Sequence, residues 1–255
     1  MARVLITGSS TGLGRAAAEQ LIAEGHHVVV HARHDKRAAD LEALTRLGAE
    51  IVIGDLANET DTRAVAQQAN SQGRLDAVIH NAAVYIDRER VVTAEGHART
   101  FAVNVLAPYL LTAWIDRPSR LIYLTSGMHR GGSTSLHDLD WQSRRWSGVQ
   151  AYSDSKLYIA TLSFALARKW PDVLSHTVDP GWVPTRMGGP SAPDDLDLGH
   201  RTQTWLAVSN DDEAVTTGGY WYHQARQAPA SAVEDERFQE ALLAELARIT
   251  GVDLA

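Results

Sequence analysis

The chain has 255 residues, a formal charge of −7, and 44% hydrophobic against 22% charged side chains; it is long enough for one large core and too acidic for general affinity to nucleic acid or anionic membranes. It contains no cysteine, which excludes disulfides, thiolate nucleophiles and thiolate–zinc sites, and none of its 11 histidines falls in an HExxH spacing, so no metal site is expected. No apolar run approaches the ~18 residues that cross a bilayer, and strand-like sequence begins at Arg3, so a cytoplasmic protein with no membrane partner is expected.

Val4-Leu5-Ile6 is a short β-rich run. It leads into Thr7-Gly8-Ser9-Ser10-Thr11-Gly12-Leu13-Gly14, after which a helical pattern starts at Arg15 and carries Ala17, Leu21 and Ile22 inward. Strand, glycine loop and helix in that order form a phosphate cradle. Glycines let backbone N–H groups approach a pyrophosphate, and the helix N-terminus adds positive potential. A bare tight turn is the alternative for these glycines.

Gly25 ends the helix, and His27–His31 is the second strand. A dinucleotide site places the adenosine ribose at the end of this strand, where an acid selects NAD and an arginine pairs with the 2′-phosphate of NADP. Arg33 stands there, 19 residues after Gly14, with no acid at the strand tip itself. A guanidinium fork suits phosphate, so NADP(H) is expected over NAD(H). Asp35 nearby and a plainly solvated Arg33 speak for the other side.

A helix over 38–47 leads through Gly48 to a strand over 50–53, followed by Asp55 and Leu56. Asp55 either accepts from the adenine amino group or caps the next helix. Leu75–His80 is the fourth strand and ends in Asn81-Ala82-Ala83, small residues against which a cofactor can lie. Strands alternating with helices predict an α/β fold: a Rossmann-type, doubly wound parallel sheet with helices on both faces and right-handed crossovers.

In the second half, Tyr152-Ser153-Asp154-Ser155-Lys156 opens an apolar-periodic run (Leu157, Ile159, Ala160, Leu162, Phe164, Leu166) that reads as a buried helix. Tyrosine and lysine four residues apart share a helix face, about 5–6 Å apart at Cβ. An ammonium beside a phenol favours the phenolate, which equips the pair for acid–base work near neutral pH. Taken alone, a tyrosine packed on the core and a solvated lysine is the plainer reading.

The motifs together resemble the short-chain dehydrogenase/reductase family. TGSSTGLG is similar to its TGxxxGxG loop and Asn81-Ala82-Ala83 to its NNAG element, with alanine in place of the last glycine. Val103-Asn104-Val105 falls where the family keeps a catalytic asparagine, and Leu121–Ser126 resembles the strand that ends in the catalytic serine. YSDSK matches YxxxK, and Pro180-Gly181-Trp182-Val183-Pro184-Thr185 resembles PGxVxT. Ser126 precedes Tyr152 by 26 residues. That long interval contains His137-Asp138-Leu139, an insertion that resembles the retinol-dehydrogenase-like branch and favours Ser126 over Ser133, Ser135 or Ser143.

The resemblance implies hydride transfer between a nicotinamide and a carbonyl or alcohol carbon of a small, apolar substrate. Tyr152 would exchange the proton, Lys156 would lower the tyrosine pKa and bind the nicotinamide ribose, Ser126 would hold the substrate oxygen, and Asn104 would place a water beside Lys156. Thr185 would contact the carboxamide or, failing that, cap the following segment. Pairing of subunits through the two helices flanking the site is the family's common arrangement. A non-catalytic dinucleotide sensor on the same fold is the alternative; Asn104, Ser126, Tyr152 and Lys156 together argue against it. An epimerase or dehydratase of the extended type would need a larger substrate domain.

A Pro/Gly/Asp-rich stretch around 186–205 is expected to fold over the substrate. Trp141, Trp146, Trp182 and Met187 either line an apolar pocket or pack the core. A last strand over 215–222 and an amphipathic helix with Leu242, Leu243, Leu246 and Ile249 close the chain. Nothing marks a second domain, so residues 1–255 are expected to form one.

Overall fold

The computed structural model describes residues 1–254. Its first half winds β1 (Arg3–Ile6), α1 (Gly12–Ala23), β2 (His27–Ala32), α2 (Asp35–Ala38), α3 (Glu42–Arg46), β3 (Glu50–Ile53), α4 (Glu59–Ser71) and β4 (Ala77–His80). After it come α5 (Arg99–Phe101), α6 (Ala107–Trp114), β5 (Arg120–Leu124), α7 (Gly148–Lys169), β6 (Leu174–Asp179) and α8 (Leu196–Val208). The chain finishes with β7 (Gly219–Tyr222), β8 (Ala225–Gln227), α9 (Ser231–Glu234) and α10 (Glu236–Thr250).

The strands form one sheet in the order β3-β2-β1-β4-β5-β6-β7-β8. All pairs are parallel except β7 with β8, which are antiparallel. The Rossmann-type doubly wound sheet expected from the sequence is present. The strand order turns back between β1 and β4, which opens a crevice at their carboxyl ends.

Side chains alternate across each strand, so the two faces bury separate cores. Leu5, Val29, Val78, Leu121 and Tyr123 meet α4, α6, α7 and α10 on one side. Val4, Ile6, Val30, Ile79, Ile122 and Val178 meet α1 and α8 on the other. This double burial is why the strands read as near-continuous apolar runs.

Several boundaries differ from the sequence reading. The expected helix over 38–47 breaks into α2, a 3-10 turn at 39–41 and α3. The stretch around 186–205 is loop only as far as Asp195, whose carboxylate accepts the N–H groups of Asp197 and Leu198 and starts α8. The last strand begins at Gly219, and the antiparallel β8 was not foreseen, since three exposed residues carry no period.

The chain's own α9 and α10 pack against α7. Leu242, Leu246 and Leu254 join the core that holds Leu110 and Leu162, and the Tyr109 hydroxyl donates to the Val252 carbonyl at 2.7 Å. Part of the α6–α7 face is thus buried by the chain's own C-terminal segment.

Candidate active site

The glycine loop is knitted to β4 before any ligand contact. Thr7 Oγ1 accepts the N–H groups of Asn81 and Ala82, each at 3.0 Å, and Asn81 Nδ2 donates to the Thr7 carbonyl at 2.9 Å. Closeness explains the glycines. A methyl on Gly14 would lie 2.4 Å from Asn81 Nδ2 and 2.7 Å from the Gly8 oxygen. At Gly8, φ is 67° and a methyl would meet Ala82 Cα at 2.9 Å.

Sequence reasoning passed over His31. Its Nδ1 accepts the Gly8 N–H at 3.0 Å, so Nε2 carries the proton and donates to the Gly54 carbonyl at 2.9 Å. The imidazole thus ties the loop to β3, and burial holds its pKa below the usual histidine value. Only the spatial meeting of β2, the loop and Gly54 reveals this role.

Arg33 and Asp55, at the ends of β2 and β3, are neighbours. Arg33 Nε lies 3.8 Å from Asp55 Oδ2, and both side chains are well exposed. Asp55 Oδ1 also accepts the Ala57 N–H at 3.0 Å, while the cap of α4 is Asn58. Asp55 therefore shapes the turn before α4. Leu56 is buried in the core.

Asn104 sits in a π-helical turn, Ala102–Leu106, between α5 and α6, a distortion frequent at functional positions. Its Oδ1 accepts the Val84 N–H at 2.8 Å, and its Nδ2 donates to the Val84 carbonyl and to Ser155 Oγ, each at 3.0 Å. Those side-chain bonds fix the segment after β4 to α7; none of them reaches Lys156.

Helix α7 begins at Gly148, capped by Ser147, and buries Tyr152 and Lys156 together. Lys156 Nζ stands 5.5 Å from the Tyr152 ring centroid and donates to the Leu124 carbonyl at 2.9 Å. That is one acceptor for three N–H donors. Burial lowers the lysine pKa to about 8, and only the Asp179 carboxylate pulls it back up. Tyr152 moves the other way from the expectation. Burial raises its phenol above the ordinary value, Tyr85 and Asp179 add to this, and a hydrogen bond with Ser126 opposes it. Loss of solvent around the phenol is the largest of these influences. Tyr85 meets the Tyr152 ring edge-on at 5.0 Å.

Ser126 follows β5 and opens a 3-10 turn over Gly127–Gly131. Its carbonyl accepts from His129 Nδ1 at 2.8 Å, and His129 Nε2 accepts the Ala230 N–H at 3.0 Å. A buried neutral histidine thus holds the serine turn against the segment leading into α9. The PGxVxT-like segment lies across the glycine loop. Thr185 Cγ2 would be 3.4 Å from a methyl on Gly12, and Leu13 and Val183 flank Gly199 of α8. Thr185 Oγ1 accepts the Gly188 N–H at 3.1 Å within a turn, and no helix starts there for it to cap. Ser10 and Thr11 follow β1, Ala83 follows β4, and Pro180 and Gly181 follow β6, where Asp179 Oδ1 accepts the Gly181 N–H at 3.0 Å.

The four expected pocket residues divide. Trp141 is buried beneath the Arg144 guanidinium at 3.6 Å and meets Trp146 edge-on at 5.5 Å, so both pack the insert. Trp182 and Met187 are 56% and 42% exposed, an unusual surface for large apolar groups beside a crevice.

The donor set fits a nicotinamide dinucleotide: a glycine cradle at a helix N-terminus, and a buried ammonium with two N–H groups to spare. Among the described residues no group of carboxylates and histidines could hold a metal, and no helix is long and apolar enough to cross a membrane.

Known proteins agree with this architecture. Residues 8–215 match the family model described as enoyl-(acyl carrier protein) reductase. The short-chain dehydrogenase chry4 of Gibberella zeae is 36% identical over all of this chain and 99% of its own length. Mouse retinol dehydrogenase 13 is 29% identical over 99% of this chain and 84% of its own. A crystal structure of an uncharacterised protein from Mycobacterium paratuberculosis superposes with a TM-score of 0.84 at 24% identity, covering 100% of this chain and 95% of that one. A chain carrying these motifs in this order on this sheet, matched over its whole length, is an oxidoreductase of the short-chain dehydrogenase/reductase family.

Proposed function

We propose that the protein is an NADP(H)-dependent carbonyl reductase or alcohol dehydrogenase acting on a small apolar substrate. The observation that carries this reading is the meeting of Ser126, Tyr152 and Lys156 at the carboxyl end of β5, in the same sheet whose β1 leads into the glycine loop. When bound, the nicotinamide supplies or takes the hydride. The chain's own groups handle the proton and the orientation.

In reduction, Ser126 Oγ and the Tyr152 hydroxyl hold the carbonyl oxygen, and Tyr152 gives it a proton as the hydride reaches carbon. Oxidation runs the same transfers backwards. The raised phenol pKa keeps Tyr152 protonated and suits the donor role. Lys156, mostly protonated at neutral pH, offers its two free N–H groups to ribose hydroxyls. Gly8, Ser10, Thr11, Gly12, Leu13 and Gly14 cradle the pyrophosphate. Asn81, Ala82 and Ala83 border the adenosine side, and Pro180, Gly181, Val183 and Thr185 border the nicotinamide.

Arg33 supports NADP(H) because its guanidinium holds Asp55 only loosely, leaving the fork for a 2′-phosphate. Exposed Trp182, Met187 and Tyr85 support an apolar substrate. The test is a panel of aldehydes and ketones with NADPH, followed by nicotinamide absorbance, on wild type and Tyr152→Phe. The variant is expected to lose 10²–10⁴-fold in kcat while binding NADPH as before. Wild-type turnover in the variant removes Tyr152 from the mechanism; tight NADPH binding without turnover of anything favours the sensor.

A further inference from the structure

Asp179 ends β6 and is buried under the site, where a hydride-transfer enzyme has no evident need of a carboxylate. It is rigidly held. Oδ1 accepts the Gly181 N–H at 3.0 Å, Oδ2 accepts the Tyr220 hydroxyl at 2.9 Å, and a methyl on Gly127, next to Ser126, would lie 3.3 Å from Oδ2. Neither oxygen meets a cation: among the described residues Asp179 forms no ion pair. A buried carboxylate with two neutral donors keeps its field, and in a low dielectric that field reaches the neighbouring groups.

We propose, on the enzymatic reading above, that Asp179 is a positioning residue whose fixed negative charge keeps the protons on the Tyr152–Lys156 pair. A negative charge stabilises an ammonium and opposes a phenolate. Both effects have the same sign for the pair, so the alkaline limit of the reduction is extended by Asp179.

The surrounding groups do not cancel this. On β7, Tyr220 is hydrogen-bonded to the carboxylate, and burial holds its phenol protonated. Tyr222 feels both Asp179 and Asp194 and is likewise shifted upward, chiefly by burial. In the turn after β5, burial pushes His129 towards its neutral form against the pull of the Ser126 carbonyl, and Arg130 lies over the Tyr220 ring at 5.7 Å. Across the loop, Asp194 accepts the Trp182 N–H at 2.6 Å, His223 stacks on Tyr222, and Tyr85 adds a second phenol at Tyr152. Asp179 is also placed beside the lysine by the sheet: Lys156 Nζ donates to the Leu124 carbonyl at 2.9 Å, and Leu124 pairs in register with Val178, the residue before Asp179.

The experiment compares wild type, Asp179→Asn and Tyr220→Phe in two readouts. One is kcat for NADPH-dependent reduction against pH. The other is the titration of Lys156 followed by NMR of the labelled lysines, of which the chain has Lys36, Lys156 and Lys169, and it needs no turnover. In Asp179→Asn the Lys156 titration and the alkaline fall in kcat are expected to move together to lower pH by about one unit. Tyr220→Phe keeps the charge, and its limb is expected to stay near wild type. A Lys156 titration unchanged in Asp179→Asn, or an equal shift in Tyr220→Phe, overturns the inference. Absence of Tyr152-dependent turnover in wild type would instead strike the enzymatic reading, with the lysine titration still deciding the role of Asp179.

Discussion

The glycine loop after β1 and the insert between Ser126 and Tyr152 are held by opposite kinds of force. Residues 7–14 are fixed by neutral groups, namely Thr7, Ser9, His31 and Asn81, and among the described residues they join no ion pair. The insert is fixed by carboxylates. Asp138 gathers the N–H groups of Gln142, Ser143 and Arg144, which pull its pKa to about 2 against the opposing cost of burial. Asp140 accepts the Ala98 N–H at 2.6 Å and pairs with Arg90 and His97. Asp154 on α7 accepts the Ser133 N–H at 2.8 Å and pairs with Arg144 at 2.9 Å. A loop meant for a pyrophosphate must keep its N–H groups free of competing anions. An insert without regular structure beyond Gly131 must find acceptors for its N–H groups, and carboxylates serve several at once.

The largest test of that contrast is Asp154→Ala. It strands the Arg144 guanidinium over Trp141 and leaves the Ser133 N–H without its acceptor. Breaking a mostly buried pair of this sort costs about 3 kcal/mol, readable as a drop in the urea midpoint. A loss below about 1 kcal/mol would class the pair with surface ion pairs and erase the contrast.

Arg33→Ala probes the other half at smaller cost. Its side chain is 57% exposed and its one ion pair is long, so stability is expected to stay within about 0.5 kcal/mol. Titration of the two cofactors should show NADPH weakened roughly tenfold or more and NADH little changed. Equal losses would remove Arg33 from the phosphate site.

How far the sequence could be read follows the same division. The glycine loop, the buried strands and the YSDSK helix were legible because their signals are local: a spacing, a period, a flank. Asp154 lies inside that motif, yet its partners are Ser133, Arg144 and Gln150, and no spacing announces them. His31 looked like the end of a strand, since its bonds to Gly8 and Gly54 exist only once three elements meet. The π-turn at Asn104 and the short edge strand β8 leave no periodic trace. Lys156 was expected to depress its tyrosine, an argument from two charges; burial of both groups, which spacing cannot supply, reverses it at Tyr152.

The smallest effect, and the one that isolates the neutral half, is acid sensitivity through His31. Its folded pKa is depressed, mainly by burial. Below the ordinary histidine value of about 6.5 the unfolded chain takes up a proton that the folded chain refuses. Stability therefore falls as pH drops through that range, by at most about 1.4 kcal/mol per pH unit for one group. His80 and His176, with pKa values of about 3 and about 4, add the same trend. His31→Asn keeps an acceptor for the Gly8 N–H but cannot titrate. Urea unfolding from pH 7 to pH 5 should thus lose less stability in the variant than in wild type, whatever their difference at pH 7. Parallel curves would mean that His31 is protonated without harm to the fold, and that the glycine loop tolerates a charge after all.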